Sequence, residues 1–147
     1  MPRIILDYDP PQTNAPGFDG DTSDLVFFLS WAFSARYGGN HEMSIAALIL
    51  RSEFKIDLVP LLTFADRNVE DPADADVLER SWQEAEPLAG CCRAVAKALG
   101  SDDNRLASLN ADYPALRHNI EDLAHKAAWA AERGAKIRVT YELGDEP

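Results

Sequence analysis

The sequence is short of several things, and each shortage narrows the reading. Cysteine occurs twice, at the adjacent positions Cys91 and Cys92. Neighbouring thiols cannot staple distant segments, which excludes a disulfide framework and predicts a reducing, cytoplasmic setting. Long apolar runs are missing. The longest, residues 25–33 and 45–50, fall well short of the roughly 20 residues that span a bilayer, so no membrane partner is expected. The opening MPRIILDYDP has no basic stretch followed by an apolar run, which predicts no export signal. Basic side chains are scarce: 14 Lys and Arg stand against 25 Asp and Glu, a formal net charge of −11. Phosphate backbones would be repelled by such a surface, so nucleic acid is not an expected partner. Familiar catalytic signatures are absent too: no G-x-x-x-x-G-K-[ST], G-x-G-x-x-G, C-x-x-C, H-E-x-x-H or G-x-S-x-G. No repeat, low-complexity tract or interdomain linker is visible.

What remains is ordinary globular material. Hydrophobic residues make up 46% and charged residues 27%, and three Trp, six Phe and four Tyr supply bulk for a core. A length of 147 residues suits one globular domain, residues 1–147, that needs no metal or disulfide to stand. Strands are expected at residues 3–7 and 135–143. In the second, Ile137, Val139 and Tyr141 alternate with Lys136, Arg138, Thr140 and Glu142, the pattern of a half-buried strand. One antiparallel register satisfies both ends of the chain. It sets Ile4 opposite Tyr141, Leu6 opposite Val139, Arg3 opposite Glu142 and Asp7 opposite Arg138, pairing apolar with apolar and acid with base.

Between these strands the chain reads as helices. Residues 9–22, DPPQTNAPGFDGDT, form a loop by their Pro and Gly content, and Asp21, Thr22 or Ser23 can cap the helix that follows. That helix, residues 24–37 with Gly38-Gly39 as its stop, is apolar nearly all round, which places it centrally or in an oligomer interface. Further helices are expected at 44–54, at 58–66 with Asp57 as cap, and at 74–99 with a kink or break near Pro87. The last two are a short one at 104–109 and a long one at 113–133, capped by Asp112 and stopped by Gly134. The fold class is therefore α+β and mainly helical, with five or six helices packed around a short antiparallel ribbon of the N- and C-terminal strands.

Two patterns could carry function. On the last helix His118, Asp122 and His125 follow at i, i+4 and i+7 and share a face. Imidazoles and carboxylates so spaced can hold a divalent transition metal, with His41 as a further ligand, and Asp122-x-x-His125 resembles the carboxylate-x-x-His element of di-iron bundles. That face lies opposite the stripe Leu116, Ile120, Leu123, Ala127 and Ala131, so a solvated surface is the simpler reading. Trp129 sits on the same polar face and fits a contact surface better.

The other pattern is acidic. Asp7, Asp9, Asp19, Asp21 and Asp24 occur with no Lys or Arg between Arg3 and Arg36. FDGDTSD lacks the spacing of a calcium loop, which leaves helix capping or docking of a basic partner. A second acidic run covers residues 66–86. Cys91 and Cys92 read as small buried residues. The function expected is a non-catalytic acidic interaction protein, an adaptor, regulator or inhibitor of a basic protein. It would use Trp129, Asp19, Asp21 and Asp24, would form a homodimer and would need no cofactor. The alternative is a small metal-binding protein or metal-dependent enzyme using His118, Asp122 and His125.

Overall fold

The strands nearest the two ends of the chain pair with each other, and the C-terminal one is the central strand of the sheet. The computed structural model describes residues 2–35 and 40–144. Strand β1 (Arg3–Asp9) pairs antiparallel with β4 (Lys136–Glu142) in the expected register, Ile4 against Tyr141, Leu6 against Val139, Arg3 against Glu142 and Asp7 against Arg138. The cross-strand charges engage: Arg3 Nε donates to Glu142 at 2.6 Å, and Arg138 Nε donates to Asp7 at 3.1 Å.

The sheet is larger than a two-stranded ribbon, and it is mixed. The opposite edge of β4 carries β2 (Phe64–Asp66), which runs parallel to it, and β3 (Trp82–Glu84), which runs antiparallel. Two strands in isolation are marginal, and the unpaired edge of β4 takes these two short segments as partners. Each was expected to be helical. The segment after Asp57 does make one turn, with Asp57 Oδ1 accepting from the Val59 N–H, but from Phe64 the backbone goes to β4. Gln83 ties the two segments together by donating to the carbonyls of Pro60 and Thr63.

One sheet face, with Ile4, Ile137 and Val139, packs on the helices, and its flanking Leu6, Tyr8, Phe64 and Tyr141 are half-buried. Helix α1 (Ser23–Ser34) buries Leu25, Val26, Phe28, Leu29 and Ala32, in line with a central position. Its expected stop at Gly38-Gly39 lies outside the described residues. Helix α2 (Glu42–Ser52) is capped by His41, whose Nδ1 accepts from the Met43 N–H.

The expected 74–99 helix is two helices. Helix α3 (Pro72–Arg80) ends at Ser81, β3 intervenes, and α4 (Ala85–Leu99) restarts with Pro87 in its first turn, where a missing N–H is harmless. The break therefore falls ahead of Pro87. Helix α5 (Asn104–Asp112) is capped by Asp103. Helix α6 (Leu116–Glu132) starts later than expected, and its entry residue Ala115 donates its N–H to Asp24 Oδ2 of α1 at 3.2 Å. Gly134, at φ +65°, ends it and turns the chain into β4. Helices α4 and α6 form the main layer of the core, with Leu88, Val95, Leu99, Leu116, Ile120 and Leu123 fully or nearly fully buried.

Candidate functional site

The loop between β1 and α1 lies across α6 and takes up several of the aspartates singled out above. Asp21 Oδ1 accepts from the Ser23 N–H at 2.9 Å, and the Asp21 carbonyl accepts from the buried Asn119 amide at 3.1 Å. Asp24 holds the start of α6. Asp19 donates its backbone N–H to Asp122 Oδ2 at 3.1 Å, while its own side chain is 91% exposed and stands 3.7 Å from His118 Nε2. Asp21 and Asp24 thus fasten the loop and the helix ends, and Asp19 alone of the three sends its carboxylate fully into solvent.

Beside these residues stands Lys126, which the sequence pattern did not single out. Its side chain is 4% exposed, its Nζ donates to Asp122 Oδ1 at 2.5 Å, and it lies 4.7 Å from the centre of the Phe18 ring. The i, i+4 spacing of Asp122 and Lys126 was the available signal. Nothing in the spacing could say that Phe18 and Asp19 of a distant loop would cover the pair. Burial pushes the Asp122 carboxyl up, but hydrogen bonds from Lys126 and the Asp19 N–H, with the Lys126 charge, hold it below the usual carboxylate range.

This geometry bears directly on the candidate metal ligands. Both oxygens of Asp122 are occupied, His118 faces Asp19, and His125 is exposed further along the helix. His41 caps α2 and stacks on Trp31 with ring centres 4.1 Å apart. Among the described residues no group of three or more His, Cys, Asp or Glu side chains is placed to hold an ion. Trp129 packs edge-on against Tyr8 of β1 at 5.5 Å, and the Arg133 guanidinium lies 3.9 Å from its ring centre, so the indole is half-buried between two parts of its own chain. Cys91 and Cys92 are buried; burial pushes the Cys91 thiol up to about 11 and Cys92 well above its usual value.

The second acidic run has the opposite character, because it faces outward. Helix α3 buries none of its side chains. Glu70, Asp71, Asp76 and Glu79 are exposed, and Glu84 and Glu86 follow on β3 and α4. The helix stands because its N-terminus is closed on itself: Asp71 Oδ1 accepts from the Asp74 N–H at 3.0 Å, and Asp74 Oδ2 accepts from the Glu70 N–H at 3.0 Å. The two arginines within the run do little to neutralise it. Arg67 turns inward, donating to Asp7 at 2.8 Å and to the buried Thr140 hydroxyl at 2.9 Å. Arg80 donates to its own Asp76 carbonyl. Asp7 is shared with Arg138, which also lies over the Trp82 ring and donates to the Leu78 carbonyl, fixing α3 over the outer face of the sheet.

No family model, no curated protein and no solved structure matches the chain. Among the described residues no helix is long and apolar enough to cross a membrane.

Proposed function

We propose that the chain is a non-catalytic cytoplasmic interaction protein, an adaptor, regulator or inhibitor, that presents the acidic surface of α3 to a basic protein partner. The observation that carries this reading is α3 itself. A helix usually owes its stability to an apolar face buried on its neighbours. Helix α3 buries no side chain, so its sequence contributes little to the core. It is nonetheless capped, pinned to the sheet through Arg138, and dense in carboxylates whose nearby arginines point elsewhere. Carboxylates clustered in this way raise the encounter rate of a cationic partner and fix its orientation. The two unbridged buried thiols are consistent with a reducing compartment.

The test is capture of partners from the source lysate, with the wild-type chain beside Asp76→Lys, Glu79→Lys. Both positions are exposed and neither caps a helix. A basic protein retained at low salt, released as salt rises, and lost from the double variant supports the reading. Identical recovery by wild type and variant refutes it.

A homodimer is proposed beside this on a separate observation. Helix α1 leaves Phe27 42% and Trp31 41% exposed one turn apart, and α2 leaves Ile45 43% and Leu48 40% exposed. Large apolar side chains concentrated on two successive helices are what a second copy could cover.

A further inference from the structure

We propose that the groove between α4 and α6 is a binding site for a small diphosphate or bisphosphate anion. It has a volume of about 300 Å³ and is lined by Arg93, Ala96 and Lys97 of α4 and by Arg117, Glu121, Ala124 and His125 of α6. Each helix supplies its charges at one-turn spacing, Arg93 and Lys97 on one side and Arg117, Glu121 and His125 on the other. Ala96 and Ala124 are buried and form the floor, so the helices approach closely and the long side chains stand as two rims.

The charge of this groove runs against that of the molecule. Three permanent cations face one carboxylate, in a chain whose net charge is −11. Elsewhere several basic side chains are matched: Arg3 pairs with Glu142, Arg67 and Arg138 with Asp7, Arg105 with Glu53 and Asp103, and Lys126 with Asp122, while Arg51, Lys55 and Lys136 have no ion pair with a described residue. In the groove only Arg93 has a carboxylate partner, Glu86 at 3.1 Å, an exposed pair that an incoming anion can displace at little cost. Lys97 and Arg117 make no hydrogen bond or ion pair with any described residue. Two cations without a carboxylate partner thus share one groove with a third, Arg93.

The Arg117 guanidinium lies against a glycine. A Cβ on Gly100, at the end of α4, would lie 2.5 Å from the Arg117 guanidinium. The missing side chain at Gly100 leaves room for the planar guanidinium against the end of α4. A guanidinium offers paired N–H donors that match the oxygens of a phosphoryl group, and Lys97 and Arg93 add positive charge beside it. No Phe, Tyr or Trp lines the groove, so recognition rests on charge and hydrogen bonding. A ligand with two or more closely spaced negative charges matches three cations better than one with a single charge.

The experiment is calorimetric titration of the full chain with inorganic pyrophosphate, with citrate in parallel as a carboxylate anion of high charge. One pyrophosphate per chain is expected, bound more tightly than citrate and weakened by salt. Lys97→Gln and Arg117→Gln each lower affinity by about tenfold or more, the usual consequence of losing a charge-assisted hydrogen bond. Arg3→Gln, the same charge change at the sheet edge, leaves affinity unchanged. Gly100→Ala keeps every charge but occupies the seat of Arg117, and it weakens binding without altering the circular dichroism spectrum. The proposal is overturned by absence of pyrophosphate binding at millimolar concentration, by citrate binding as tightly, by equal losses in Arg3→Gln and Arg117→Gln, or by wild-type affinity in Gly100→Ala.

Discussion

At the scale of single residues, the buried Asp122–Lys126 pair makes the sharpest demand on the sequence. Asp122 is 14% exposed and Lys126 4%, so neither charge can be abandoned cheaply by its partner. Replacing one member leaves an uncompensated charge, whereas replacing both by apolar groups of similar size is often neutral or stabilising. Asp122→Asn is therefore expected to destabilise the chain by about 3–5 kcal/mol in urea unfolding at neutral pH. Asp122→Leu combined with Lys126→Met should recover wild-type stability or exceed it. The pH dependence follows from the direction of the Asp122 shift. Its folded value lies below the unfolded one, so its contribution is complete above the unfolded carboxylate value of about 4 and drains away as pH falls through the lower folded value. The gap between wild type and Asp122→Asn should accordingly shrink in acid, and a gap independent of pH would remove the electrostatic account. The thiols give a second check. With Cys91 held up near 11 and Cys92 well above its usual value by burial, neither presents a thiolate at pH 8. An aromatic disulfide reagent should label neither in the native chain and both in urea; rapid native labelling would contradict their burial.

At the scale of elements, what could be read from the sequence was whatever carried its own periodicity or punctuation. The β1–β4 register was legible because two apolar pairs and two charge pairs all agree on it, and a slip by one residue breaks all four. The loop before α1, helix α2 and the Gly134 stop were legible from local chemistry. Strands β2 and β3 were not, since three residues hold no period, and Phe64 and Trp82 read equally well on a helical stripe. Their identity comes from the free edge of β4, a tertiary fact. The covering of Lys126 by Phe18 is hidden for the same reason: it depends on where a loop a hundred residues away comes to rest. Among the elements, α3 is the one that stands apart, because it buries nothing. Its amides should exchange with solvent ahead of those of α4 and α6. Asp71→Ala, which removes its cap, costs the helix about 1 kcal/mol and should speed exchange within α3 about fivefold. The global unfolding free energy should change by less than about 0.5 kcal/mol, the range of ordinary surface substitutions. A large global loss would mean that α3 supports the core after all, and the case for it as a recognition element would lose its foundation.

At the scale of the whole molecule, charge and apolar surface make opposite demands on association. A net charge of −11 drives copies of the chain apart and draws a basic partner in, and both effects fade as salt shortens the screening length to about 10 Å at 0.1 M. The proposed dimer contact through Phe27, Trp31 and their neighbours on α2 would rest on apolar burial, which salt does not weaken. The two associations therefore respond to salt with opposite sign: binding of a basic partner weakens, and self-association tightens once repulsion is screened. Sedimentation equilibrium across a salt series separates them without knowledge of the partner. The wild-type chain is expected to shift from monomer toward dimer as salt rises. Phe27→Ser with Trp31→Ser should stay monomeric throughout, with its acidic surface and capture of a basic partner intact. A wild-type chain that stays monomeric at high micromolar concentration in every salt would leave the exposed aromatics of α1 as surface alone. A dimer that persists in the double variant would move the interface to another face of the molecule.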